Sequence, residues 1–333
     1  VAKERKPSWI ERLGVAIGKS LLPVIFFLWG DLSPRAVRLW AWIFWVLAWP
    51  FQWSDRRVIR QNLLVAFPEK SEWERRRIGR ESQLHFIGTA LDWLHTLKHP
   101  ESAEERLEKT PEFVKNCTAS NPSGKSPSAI YCTLHLGNWE TASRISYLTG
   151  RPGAVVVARF KVEWFNDLAK RLRTDADDTT VIQRDGAARG VLQALDAGRN
   201  VGILIDQNVS PRQGGIYQNF FGLPATTSRL PAYAARKRQV PLYVVACIKR
   251  PDGAFFMDYC PMEKNAWEYD SDEALTAAVF RAYEELIRRH PEQYLWSYRR
   301  WRSIPANTPS TIVAKFPSYA VQKKYTCPEE LFS

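Results

Sequence analysis

A histidine and a glutamate five residues apart, in Leu134-His135-Leu136-Gly137-Asn138-Trp139-Glu140, are the residues of this chain best suited to proton-transfer chemistry. An imidazole titrates near neutral pH, and a carboxylate on one ring nitrogen fixes the tautomer that leaves the other as a base. On a single helix the two side chains would point roughly 140° apart, given about 3.6 residues per turn. They meet only across a turn, and Gly137-Asn138 supplies turn residues. His135 on the loop and Glu140 in the first turns of a following helix then form a base and its orienting carboxylate, a device worth ~10² to 10⁴ in rate. A hydroxyl acting as nucleophile is the natural proton donor for such a base. Backbone N–H groups at the start of the helix beginning at Asn138, or a nearby arginine, would receive the oxyanion. Spacing alone is equally compatible with a lone histidine whose glutamate neighbour caps a helix.

Positioning such a pair takes a rigid scaffold, and the pattern from residue 128 onward provides one. Strands are expected over 129–134, 154–158, 179–183 and 200–205, alternating with helices over 138–148, 163–173 and 187–197. That alternation signals an α/β fold, a mostly parallel mixed sheet flanked by helices. His135 follows the first strand, Arg159 the second, Arg184 the third and Asp206 the fourth. All four fall at the carboxyl edge of the sheet, where open α/β sheets bind ligands. Further on, 226–239 reads as a helix, 241–248 and 254–259 as a strand pair around Pro251-Asp252-Gly253, and 271–290 and 291–301 as two closing helices. Ahead of the sheet, residues up to about Leu107 read as helical, with Asp55 and Ser71 as N-caps and Pro68 between two helices. Asn121-Pro122-Ser123-Gly124 marks an exposed loop. The expected organisation is a helical membrane-associating segment over 1–54, a catalytic domain over 55–305 with a lead-in over 55–115 and a core from about 128, and a tail over 306–333.

The 333 residues are 45% hydrophobic and 25% charged, enough to bury a full core in one large domain. A net charge of +12 and a pI near 9.5 call for an acidic partner, which nucleic acid, anionic lipid, a phosphorylated substrate or an acidic carrier protein would each satisfy. The sequence has no recognised nucleic-acid-binding motif, phosphate-binding glycine loop or G-x-S-x-G elbow, so no nucleic-acid partner is expected and a serine hydrolase is unsupported. Five cysteines without C-x-x-C spacing argue against a disulfide framework or structural zinc. His95 and His99 lie four apart but lack a third ligand at motif spacing, so no metal or cofactor is expected. Cys132 would permit a thiolate relay, but its apolar strand favours a small core residue.

Seven of the fourteen tryptophans fall in the first 53 residues, a membrane-interface composition. The longest uncharged stretches, 20–30 and 39–54, fall short of the ~20 apolar residues of a spanning helix. Snorkelling by Arg38 would lengthen the second, with Arg56, Arg57 and Arg60 then holding the domain on the cytoplasmic side. A helical pair lying in one leaflet is the competing picture, and helices packed in a soluble core a third.

The segment His135-Leu136-Gly137-Asn138-Trp139-Glu140 resembles the His-x4-Glu motif of the late acyltransferases of lipid A biosynthesis, the lauroyl/myristoyl branch of the lysophospholipid acyltransferase superfamily. Further matches occur in order: Asn62-Leu63 with Phe67-Pro68-Glu69, Leu204-Ile205-Asp206-Gln207, Phe220-Phe221-Gly222, and Pro291-Glu292-Gln293-Tyr294 through Trp296 to Arg299-Arg300. The similarity runs from about residue 55 to 302. It implies one α/β acyltransferase domain behind a membrane-binding N-terminus at the cytoplasmic face of the inner membrane. It also implies an acyl carrier protein or CoA thioester donor and a lipid A precursor or related glycolipid acceptor. His135 is then the base, Glu140 its partner, and Asp206 part of the site. Asn138, Arg159, Arg184 and Gln207 are expected to contact substrate, although Phe160-Lys161-Val162 follows Arg159 where the family often carries a proline. Phe220 and Phe221 are expected to line a groove for the acyl chain, with a turn packed on the core as the plainer alternative. The same motifs fit a lysophospholipid acceptor. A basic nucleic-acid binder or a catalytically silent membrane protein would account for the charge and the tryptophans alone.

Overall fold

A computed structural model describes residues 24, 25, 27–117, 121–124, 127–158 and 179–332. Trp9, Arg159 and the expected helix over 163–173 lie outside the described residues. The strands, in chain order, are β1 Leu107–Glu108, β2 Ile130–Thr133, β3 Gly153–Val157, β4 Thr179–Gln183, β5 Asn200–Leu204, β6 Gly215–Phe220, β7 Leu223–Ser228, β8 Leu242–Lys249 and β9 Phe255–Cys260. Seven of them form one sheet in the order β1-β9-β8-β2-β5-β3-β4. Every pairing in it is parallel except the β8/β9 hairpin, which turns at the expected Pro251-Asp252-Gly253.

The central strand shows why this sequence makes a sheet covered on both faces. Ile130 and Cys132 point into one apolar core, while Ala129 and Tyr131 point into another. On β8, Val244, Ala246 and Ile248 join the first core, and Val245 and Cys247 the second. Strands buried on both faces read as unbroken apolar runs, as these do. The described helices that matter here are α1 Pro34–Ala48, α2 Trp53–Ala66, α3 Glu72–Lys98, α4 Ala187–Asp196, α5 Leu230–Arg238 and α6 Asp272–Arg289. The larger core takes Leu63 from α2, Leu195 from α4, Ala235 from α5 and Leu286 from α6.

The N-terminal helices are locally well specified. Ser33 Oγ accepts from Ala36 N ahead of Pro34, and Ser71 with Glu74 closes a capping box that starts α3. Asp55, expected as a cap, lies instead in the first turn of α2, whose N-cap is Gln52. With 15 residues α1 is about 22 Å long, and no described helix is long and apolar enough to cross a membrane. Its Val37 rests near Gly88 of α3, and the Trp45 indole donates to Gln83 there. Leu39, Trp42, Val46 and Leu47 stay exposed on α1, followed by Trp49, Phe51 and Trp53.

Three expected helices are not formed as predicted. The stretch 138–148 breaks into a 3₁₀ turn, Thr141–Ser143, and a short helix, Ile145–Thr149. The stretch 226–239 is helical only from Leu230, because Leu223–Ser228 pairs with β6. Beyond the 3₁₀ turn Pro291–Gln293, the stretch 291–301 is irregular backbone laid against the loop that carries His135. The tail folds back: β10 Ser303–Ile304 pairs with β11 Val321–Gln322, Phe316 is buried, and the Tyr319 hydroxyl donates to Asn62 Oδ1.

Candidate active site

Register builds the site. Neighbouring strands β2 and β5 pair Thr133 with Leu204, so the residues two positions beyond each, His135 and Asp206, emerge side by side at the carboxyl edge. His135 Nδ1–H donates to Asp206 Oδ1 at 2.8 Å, and His135 N–H donates to Asp206 Oδ2 at 3.0 Å. Ring and backbone are thus clamped by one carboxylate that is only 2% exposed. Burial works against its charge, but attraction to His135, the two hydrogen bonds from it and the field of Arg300 outweigh that and hold Asp206 below the usual carboxylate range. The buried Tyr294 hydroxyl, pushed well above its ordinary range by desolvation, stays protonated and hydrogen-bonds the same carboxylate.

Because Nδ1 carries the proton, Nε2 holds a lone pair. The His135 side chain keeps 17% exposure, and the Gln207 amide nitrogen lies 3.1 Å from Nε2. The Trp139 ring sits 5.1 Å from the imidazole and packs in turn on Phe86 and Trp93 of α3. The loop itself is stitched by three bonds, two to the 293–295 segment and one to β8: Gly137 N–H to Gln293 O, Leu295 N–H to His135 O, and Asn138 N–H to Cys247 O, at 2.8 to 3.0 Å. Gly137 has φ +65°, and a Cβ there would lie 1.9 Å from the Cys247 carbonyl oxygen, so no other residue fits without moving β8.

Several expectations change. The carboxylate on Nδ1 belongs to Asp206 and not to Glu140, which is half-buried and is the N-cap residue of the 3₁₀ turn Thr141–Ser143. No helix begins at Asn138, and the N–H groups of Leu136, Gly137 and Asn138 are all engaged, so they form no oxyanion hole. Asn138 is buried and its side chain accepts from Thr141 N, an internal turn contact where substrate contact was expected. Arg184 is exposed at the end of the edge strand β4, three strands from β2, roughly 14 Å away at ~4.8 Å per strand. Phe220 has 0% exposure between Phe280 and Trp301, and Phe221 has 7% against Phe67 and Trp296. Both belong to the core and line no open groove. Cys132 is fully buried, and desolvation pushes its thiol far up, against a thiolate relay. His95 Nδ1 bonds Gly30 O and His99 Nε2 bonds Asp31 Oδ1, so each ring has a structural partner.

Sequence reasoning missed the role of the 293–295 segment, the aromatic wall of Phe86, Trp93 and Trp139, and Arg300. The Arg300 guanidinium is buried, donates to Thr226 O and Asn208 Oδ1, and lies over the Phe220 and Phe280 rings. The one signal available for Asp206 as orienting group was its place after the neighbouring strand.

A carboxylate-clamped imidazole at the carboxyl edge of a parallel sheet, with the Gln207 amide on its other nitrogen, lies where open α/β folds place their ligand sites. The chain belongs to the bacterial lipid A biosynthesis acyltransferase family, whose profile matches residues 11–303, and it is an O-acyltransferase. It is 22% identical over 313 residues to the lipid A biosynthesis lauroyltransferase of Escherichia coli K12, covering 91% of this chain and 94% of that protein. It is 23% identical over 278 residues to the lipid A biosynthesis palmitoleoyltransferase of the same strain, covering 80% and 85%. A lipid A biosynthesis acyltransferase of Shigella flexneri matches to the same extent.

Proposed function

We propose that this enzyme moves a fatty acyl group from an acyl carrier protein or CoA thioester to a hydroxyl of a lipid A precursor or related glycolipid, at a membrane surface. The observation that carries the mechanism is the 2.8 Å bond from His135 Nδ1 to Asp206. It leaves Nε2 basic and gives the imidazolium a buried counter-charge. The acceptor hydroxyl gives its proton to Nε2 as its oxygen bonds to the thioester carbonyl carbon. The carbonyl π pair moves onto oxygen. When that oxyanion collapses, the C–S bond breaks and the departing sulfur takes the proton from Nε2. Atoms and charge balance, and His135 returns to its starting state. A net charge of +12 supports an acidic carrier protein as donor. The exposed apolar face of α1, with Trp49, Phe51 and Trp53 after it, supports attachment to a membrane surface, which we place at the cytoplasmic side of the inner membrane.

The test is incubation of the purified chain with labelled acyl carrier protein and CoA thioesters and a panel of acceptor lipids. His135→Ala is expected to lose transfer by at least ~10². Asp206→Asn is expected to fall by a similar factor, with the acid limb of its pH profile moved to lower pH because the imidazolium has lost its counter-charge. Glu140→Gln should leave that limb in place. Transfer to a lysophospholipid alone would replace the acceptor, and full activity in both His135→Ala and Asp206→Asn would end the mechanism.

A further inference from the structure

The transfer step needs hydrogen-bond donors for the oxyanion, and the backbone amides of His135 to Asn138 are already spent. His135 N–H is spent on Asp206, Leu136 N–H on Leu134 O, Gly137 N–H on Gln293 O and Asn138 N–H on Cys247 O. The Asn138 carboxamide accepts from Thr141. Arg300 is only 2% exposed, with Nη1 on Thr226 O and Asn208 and its guanidinium over two aromatic rings, and Arg184 stands three strands away. Among the described residues one side-chain amide already touches the reacting nitrogen, His135 Nε2.

That donor is Gln207. Its nitrogen is 3.1 Å from Nε2, where the acceptor hydroxyl must arrive, and the residue is half-buried. Both flanking residues are fixed. Asp206 is clamped to His135. Asn208 N–H donates to the Tyr298 hydroxyl, and its side chain bonds Tyr298, Arg299 O and Thr226. The backbone at 207 therefore holds the amide at the sheet edge, while its hydrogen bond to Nε2 is one that the substrate hydroxyl must replace.

We infer that Gln207 is a catalytic residue whose carboxamide N–H is displaced from His135 Nε2 by the incoming hydroxyl and then donates to the thioester carbonyl oxygen, holding the oxyanion until the C–S bond breaks. This assignment rests on the acyl-transfer reading above. No proton moves to or from Gln207; it supplies only an N–H dipole, which is worth most where charge develops. With its nitrogen one hydrogen-bond length from the base, the amide needs only a side-chain rotation to reach an oxygen bonded to the same carbon as the attacking hydroxyl.

The experiment measures two reactions of the full chain with dodecanoyl-CoA: transfer to the acceptor lipid and hydrolysis by water. Both pass through the same oxyanion, whereas only the first needs the acceptor to be positioned. Gln207→Ala and the isosteric Gln207→Glu are each expected to lower kcat for both reactions in parallel by ~10² to 10³, with KM changed less than about threefold. Gln207→Glu should also move the acid limb of the pH profile upward, since it places a carboxylate at Nε2. Equal thermal midpoints for wild type and variants establish that folding is intact. If Gln207→Ala unfolds, the Glu variant carries the comparison. Hydrolysis spared while transfer falls, or kcat within about threefold of wild type in both reactions, overturns the oxyanion role alone. A wild-type chain that neither transfers nor hydrolyses any thioester overturns the acyl-transfer reading, and the role of Gln207 with it.

Discussion

His85 shows how a residue on α3 supports the loop of the candidate base. It lies half-buried on α3 and hydrogen-bonds the Gly137 carbonyl. Burial pushes its pKa down to about 4, helped by nearby Lys249, and the Gly137 bond and Asp92 only partly oppose this. Asp92 itself is buried in ion pairs with Arg106 and Lys249. The folded chain therefore holds His85 neutral, while the unfolded chain protonates it near the ordinary value of 6.5. Between those values the unfolded state binds more protons, so stability falls as pH drops from 6.5 toward 4 and is unaffected by this group above 6.5. The penalty is up to about 3 kcal/mol. Urea denaturation at pH 7.5 and 4.5 should show a smaller loss for His85→Gln than for wild type, and equal losses would refute a buried neutral imidazole. Nothing in the sequence around His85 announced this, because its partners come from residues 137, 92 and 249. His135 was legible for the opposite reason: a histidine directly after an apolar strand and before a glycine is a local pattern.

At the scale of elements, the β6/β7 hairpin was hidden by its turn. Phe221 and Gly222 have φ +51° and +78°, the left-handed pair of a type I′ turn, where Asn-Gly or Asp-Gly is the usual signal. A phenylalanine accepts that conformation here because its ring is buried between Phe67 and Trp296 and its N–H donates to Glu284. Strain of about 1 to 3 kcal/mol is set against roughly 3 to 5 kcal/mol for losing a buried phenylalanine. Burial wins, so Phe221→Gly is expected to destabilise by only about 1 to 3 kcal/mol, less than Phe220→Ala at roughly 3 to 5. Phe220 carries no such strain. Denaturant midpoints for the two variants decide the order, and a larger loss at Phe221 would mean that its backbone is not strained. The segments 138–148 and 291–301 failed as helices through the same kind of override. Gln293 O and Leu295 N–H are bonded to the His135 loop, and Asn138 N–H is taken by Cys247 of β8, which no helical periodicity can encode.

For the whole molecule, one face of α1 packs on α3 while the other offers Leu39, Trp42, Val46 and Leu47 to solvent, continued by Trp49, Phe51 and Trp53. Arg56 lies 3.9 Å over the Trp49 ring, which places positive charge at the border of this apolar face. Such a surface suits a helix lying in the headgroup layer. Sedimentation with anionic phospholipid vesicles should show Trp42→Ser/Phe51→Ser binding at least about tenfold more weakly than wild type, since each buried apolar side chain contributes about 1.5 to 3 kcal/mol. Unchanged binding would put the membrane contact elsewhere. The sequence by itself determined the alternation of strand and helix, the parallel sheet, the His135 loop at its carboxyl edge and the family, because each is written in contiguous apolar runs or short motifs. Tertiary structure alone decided that Asp206 and not Glu140 bonds His135 Nδ1, that Phe220 and Phe221 are core, and that the amides of His135 to Asn138 are already spent. Those facts depend on which strands become neighbours. The β2/β5 pairing joins residues 71 positions apart, and no local spacing carries that information.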